Sequence, residues 1–254
     1  FKGLEDVGYY QVASPISEAA GLVVGAMSIV AFPMISELWT RRKKNIVVDG
    51  VYLMIKGSLL VLIPAAAVII SSPELIIPIL FTDKYLPAAT ALQILTISVV
   101  FQSLTFVLFS IMKGIGKPMS ATKAIVILSV TDLVANLLLI PPLGIIGAAL
   151  ATTIAFITAF FASIIMAKSH IHIKFPYAPA AKAIISGIVM IFFIISIKPF
   201  LPDNNLLKFI AASSIGLIIY AFLVAILGAV KKKDAKVLEK IIYIPRWIYI
   251  FLRD

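Results

Sequence analysis

The sequence predicts an all-α, polytopic membrane bundle, and three observations carry that reading. Of 254 residues, 61% are hydrophobic and only 13% are charged, about half the charge a soluble domain needs to wet its surface. The mean hydropathy is +1.10. The apolar residues fall into stretches of about 20 or more, the length a helix needs to cross the hydrocarbon layer, and they lack the alternation of a transmembrane β-strand. This composition excludes a soluble enzyme, a nucleic-acid binder and a disordered tail. No nucleic-acid partner is expected, although Lys and Arg exceed Asp and Glu by 22 to 12, because in so apolar a chain this excess reads as charge sorted across a bilayer.

Seven spans are predicted, at 7–37, 46–71, 86–112, 118–140, 143–166, 178–197 and 206–230. Basic residues mark cytoplasmic loops. Arg41 to Lys44, then Lys113, Lys117 and Lys123, then Lys168, Lys174 and Lys182, and seven residues from Lys231 to Arg253 share one side, whereas only Lys2, Lys84, Lys198 and Lys208 fall on the other. The expected orientation is amino end outside and carboxy end in the cytoplasm, in the cell membrane. The chain begins at Phe1 without a short apolar leader, and the expectation is a carboxy-terminal piece of a longer protein. By region, 1–167 holds five spans, 168–230 two more, and 231–254 a basic tail whose later residues suit an amphipathic segment on the inner leaflet. A positive-inside stop followed by a frayed end accounts for the same tail.

Ionisable side chains at membrane depth are costly and usually face a bundle interior or a wet cavity. At 1.5 Å per residue, Lys56, Glu18 and Asp132 lie about 15, 17 and 21 Å along their spans. Each belongs to a polar stripe at helical spacing. Gln11, Ser14 and Glu18 lead into Gly21 and Gly25; Asp49, Tyr52 and Lys56 align, as do Ser129, Asp132 and Asn136; Gln93, Thr96 and Ser103 share a side. Lys56, Tyr52, Asn136 and Gln93 are the candidate substrate contacts, and Asp132 and Glu18 the candidate ion-coupling groups. Lys56 suits a phosphate, because a charge in a low-dielectric cavity attracts an anion more strongly than in water. The competing account is a buried pair of Lys56 with Asp132 or Glu18 that only holds the bundle together.

Pro15, Pro33 and Pro64 fall inside spans and predict kinks. Gly21 with Gly25, and Gly144, Gly147, Ala148 and Ala151, predict close helix packing. The Lys113 to Pro118 string lacks the spacing and the preceding strand of a phosphate loop, and reads as a tight turn. Lys123 reads as a cytoplasmic-entrance or snorkelling lysine, and His170 and His172 read as loop residues. With zero Cys and two His, no disulfide, metal centre or cofactor is expected. No nucleophile–base constellation is visible and no loop is long enough for a catalytic domain, so an enzyme is not expected.

Several strings occur together in one order. They are Val7-Gly8-Tyr9-Tyr10, Phe32-Pro33 with Ser36-Glu37, Leu80-Phe81 before Tyr85-Leu86-Pro87-Ala88-Ala89, Gly114-Ile115-Gly116-Lys117-Pro118, and Asn136 followed by the run from Leu139 to Thr152. In this order they resemble the polysaccharide-transporter, or oligosaccharide flippase (Wzx-like), branch of the multidrug/oligosaccharidyl-lipid/polysaccharide exporter superfamily. The resemblance implies a two-lobed bundle of twelve to fourteen helices around a central cavity, of which this chain supplies helices eight to fourteen. It further implies transport of lipid-linked sugars between leaflets by alternating access, often with an ion gradient. The implied partners are a lipid-linked sugar substrate, the lipid bilayer and an amino-terminal lobe, or else a second copy of the chain. The alternatives are a multidrug cation antiporter of the same superfamily and a truncated, non-transporting fragment.

Overall fold

A computed structural model describes residues 4–230 and residue 234. Helices follow one another as α1 (Leu4–Ala19), α2 (Leu22–Thr40), α3 (Lys44–Ser71), the short α4 (Pro73–Leu80), α5 (Ala89–Gly114), α6 (Pro118–Leu143), α7 (Ile145–Lys168), α8 (Tyr177–Ile197) and α9 (Asn205–Ile226). Short 3₁₀ turns at Asp83–Ala88 and Lys198–Phe200 precede α5 and follow α8. Among the described residues there is no strand, and seven helices are long and apolar enough to cross a membrane: α2, α3, α5 with its 3₁₀ lead, and α6 to α9. The amphipathic tail expected over 231–254 lies, apart from Asp234, outside the described residues.

The largest departure from expectation is the first span. Instead of one helix over 7–37, α1 and α2 meet at a turn at Ala20 and Gly21. A Cβ on Gly21 would lie 2.8 Å from Ser103 Oγ and 3.0 Å from Val99 Cγ1 of α5. The turn therefore sits where α2 comes hard against α5. Gly25 has nothing within 4 Å of such a Cβ, so only one member of the expected glycine pair makes a close packing contact. Pro33 and Pro64 lie inside continuous helices.

Three helices end alike, on the side where Arg41 to Lys44 stand. After α5, Gly116 N–H donates to Lys113 O and Lys117 N–H to Met112 O, with Gly116 at φ +76°. Arg42 and Lys43 repeat the pattern on Trp39 and Leu38 after α2, and Gly228 and Ala229 on Ala225 and Val224 after α9. This is the Schellman closure, in which a left-handed residue lets two amides satisfy the last carbonyls. The Lys and Arg beside the ends of α2 and α5 also stand near the negative pole of the helix dipole. We refer to this side as the basic end. At the other end, Asn204 Oδ1 caps α9 by accepting from Leu206 N–H (3.0 Å) and Leu207 N–H (3.1 Å). There too Lys198 Nζ bridges Glu74 at 2.5 Å and the carbonyl of Ser71.

Helix α5 is central, with Leu92, Leu108, Ile111 and Met112 fully buried. One apolar cluster, with Ile35, Val51, Leu62 and Phe160, joins α2, α3, α5 and α7. A second, with Val12, Ile16, Ile77 and Ala149, joins α1, α4, α5 and α7. A third ties α8 and α9 to α3 through Ala67, Met190, Ile194 and Tyr220. Helix α6 packs chiefly on α7, where a Cβ on Gly147 would lie 2.1 Å from Leu139 O. Its outer face, with Val130, Leu133, Leu137 and Leu138, is exposed.

Candidate functional site

Residues Asp49, Tyr52 and Lys56 recur at three and four along α3 and so share one face. That face meets the first turn of α8 and the segment after α9, enclosing a cavity of about 350 Å³ lined also by Lys174, Lys182, Gly228 and Asp234. The Lys56 side chain is only 4% exposed, and its Nζ donates to Asp234 Oδ2 at 2.5 Å. Its counter-ion is therefore neither Asp132 nor Glu18 but an aspartate 178 positions along the chain.

Local structure explains how that aspartate arrives. The left-handed Gly228 ends α9, and Lys182 Nζ donates to the Gly228 carbonyl at 3.3 Å. Helix α8 thereby holds the turn from which the chain continues to Asp234.

A second cleft, of about 700 Å³, runs between α2 and α3. Its walls are apolar, with Val23, Met27, Val30 and Met34 opposite Leu53 and Leu60, and Lys56 and Asp234 line it as well as the polar cavity. The two clefts thus share the ion pair. A molecule with an anionic head and a hydrocarbon tail matches this pairing of a lysine-rich pocket and an apolar groove.

The other candidates lie elsewhere. Gln93 donates its Nε2–H to Ile70 O at 2.8 Å, satisfying a carbonyl near the end of α3. Asp132 and Asn136 stand half-buried on α6, where Asn136 Nδ2 donates to the Asp132 carbonyl at 2.9 Å. Glu18 is exposed and accepts from Ser14 Oγ at 3.1 Å. The structure therefore joins Lys56 to Tyr52 and leaves Asn136, Gln93, Asp132 and Glu18 outside that cavity.

Sequence reasoning missed Lys174 and Lys182 as lining residues of the cavity and Asp234 as the counter-ion of Lys56. One signal was present: a lysine at that depth requires a counter-charge, and Asp234 interrupts the lysines of the tail. His170 Nε2 lies 2.9 Å from Ser120 Oγ, a loop contact at the basic end. Among the described residues, no group of three His, Asp or Glu side chains is placed to hold a metal.

Residues 7–220 match the family described as Lipid II flippase MurJ. An uncharacterized membrane protein of Methanocaldococcus jannaschii, MJ1068, is 34% identical over 209 residues, which is 82% of this chain and 41% of that protein. The probable low-salt glycan biosynthesis flippase Agl15 of Haloferax volcanii is 24% identical over 236 residues, covering 93% of this chain and 50% of that one. Among solved structures, the inward closed conformation of lipid II flippase MurJ superposes with a TM-score of 0.73 at 22% identity, over 87% of this chain and 47% of that chain. The likeness is one of fold. The chain spans about half the length of the curated relatives it matches.

Proposed function

The chain belongs to the lipid II flippase MurJ family, whose members are transporters and not enzymes, and from this we propose that it carries a lipid-linked oligosaccharide or polysaccharide precursor across the cytoplasmic membrane. The observation that carries the reading is the meeting of the polar cavity and the apolar groove at Lys56. A lipid-linked sugar has a phosphate for the lysines and a hydrocarbon tail for the groove. Lys56 is the phosphate contact, and Tyr52 is a hydroxyl one turn away for the head group. A multidrug cation would meet an unfavourable ammonium in the same place.

Further parts of the reading rest on the sequence. The basic end faces the cytoplasm by the positive-inside rule, which places the amino end of the chain outside. Asn136 and Gln93, outside the cavity here, contact the head group in another conformation. Asp132 or Glu18 binds a proton or Na⁺, and the bound ion biases the inward and outward states. A second lobe, in the same polypeptide or from another copy, completes the translocation path. The string order also favours the polysaccharide-transporter branch for the substrate class.

The test is flipping of a fluorescent polyprenyl-linked sugar by the full-length protein in proteoliposomes. Lys56→Met should insert normally and flip at least about tenfold more slowly, as expected when one member of a buried charged contact is truncated. Flipping at the unaltered rate would remove Lys56 from the path.

A further inference from the structure

Asp234 has a chemical role that follows from where it stands. Its carboxylate occupies the position, 2.5 Å from Lys56 Nζ, that an anionic oxygen of a ligand would take. Among the described residues it is also the only charged lining residue of the cavity contributed by the segment after α9. The others, Asp49 and Lys56 on α3 and Lys174 and Lys182 at the start of α8, lie on or beside helices packed into the bundle.

Among the described residues, three ammonium groups line the cavity, Lys56, Lys174 and Lys182, against two carboxylates, Asp49 and Asp234. With Asp234 withdrawn, the three described ammonium groups face one described carboxylate. Burial of Lys56 makes its desolvation expensive without an anion beside it, so Asp234 can leave only when another anion arrives. The Schellman closure at Gly228 ends α9 before the segment that carries Asp234, and a Cβ on Gly228 would meet nothing within 4 Å.

We propose that Asp234 is a tethered stand-in for the ligand phosphate: it holds Lys56 in the empty protein and is exchanged for the phosphate of a lipid head group when the ligand binds. This inference rests on the flippase reading of the same cavity and adds an internal competitor to it. The exchange makes no covalent bond and moves no net charge off Lys56.

The experiment measures binding of polyprenyl phosphate to the full-length protein in phosphatidylcholine nanodiscs, with inorganic phosphate as a second probe. Asp234→Asn keeps the shape of the side chain and removes its charge. It should bind polyprenyl phosphate at least about tenfold more tightly than the unaltered protein, a modest share of the Coulomb energy of a close pair in a protein interior. Asp234→Glu, which keeps the charge, should bind within about twofold of the unaltered protein. The gain should vanish in Lys56→Met/Asp234→Asn, because coupled residues are non-additive. Inorganic phosphate, which leaves the apolar groove empty, should bind more weakly than the lipid in every variant.

Unchanged affinity in Asp234→Asn, with binding lost in Lys56→Met, would overturn the exchange and leave the flippase reading standing. Unaltered binding and flipping in Lys56→Met would overturn that reading itself. Equal affinity for inorganic phosphate and the lipid would overturn a lipid source for the anion.

Discussion

Two polar sites at membrane depth differ in how their charges are held. Lys56 is buried and paired with an aspartate 178 residues away. Asp132 is half-buried on the most exposed helix, and its backbone carbonyl accepts a hydrogen bond from Asn136 one turn on. The first charge is compensated by the tertiary fold, so anything that binds there must displace or join a group already present. The second stands on a helix that packs chiefly against α7 and turns an apolar face outward, so a ligand reaching it meets no tertiary competitor in the described structure.

The contrast has measurable consequences, of which the largest lies at the buried pair. Lys56→Met should destabilise the purified protein by about 3–5 kcal/mol, because it leaves a buried carboxylate without its counter-charge. Thermal unfolding in detergent reads this loss. Adding Asp234→Asn should recover most of the stability and none of the transport, which separates structural from functional loss.

Next comes the anchoring of α6. A Cβ at Gly147 would lie 2.1 Å from Leu139 O, a backbone atom that cannot rotate away. Gly147→Ala should therefore cost about 1–3 kcal/mol through overpacking, whereas Gly25→Ala, facing open space, should cost nothing measurable. Equal melting temperatures for the two variants would show that the α6–α7 contact is not held as described.

A smaller effect is expected at Lys182, whose ammonium holds the Gly228 carbonyl. Lys182→Met should cost about 1 kcal/mol, the net worth of one hydrogen bond, and should raise proteolysis after residue 228. The smallest is Asp132→Asn, which keeps the shape of the side chain in a half-exposed place and should shift stability by less than about 0.5 kcal/mol. If Asp132 couples an ion, the same variant abolishes the dependence of flipping on the ion gradient, measured by collapsing that gradient in proteoliposomes.

Six of the seven spans were legible because membrane crossing is fixed by local quantities, namely length, apolarity and the sidedness of lysine and arginine. Pro118, at the first position of α6 after the Gly116 turn, illustrates how well local chemistry sets a boundary. The break at Gly21 was illegible, because the close approach that requires a glycine there is to Ser103 and Val99 on another helix. The partnership of Tyr52 and Lys56 could be read from a spacing of four, whereas that of Lys56 and Asp234 could not. Periodicity reports which residues share a face and is silent on which face it meets. Helix α4 and its following 3₁₀ turn were missed for a related reason. They are shorter than any span, and Pro73 and Glu74 take their places through the Ser71 corner that Lys198 clasps.

The closure of α9 at Gly228 also bears on how the protein is handled at the bench. Because the helix is complete there, shortening the gene just beyond it would look harmless: every membrane-crossing helix among the described residues would be kept. Such trimming is in fact a charge edit at the centre of the molecule, since it deletes the anion that neutralises Lys56. A shortened protein would call on detergent phosphates, buffer anions or lipid to fill the gap. Its behaviour would then depend on the choice of amphiphile in a way that the untrimmed chain avoids.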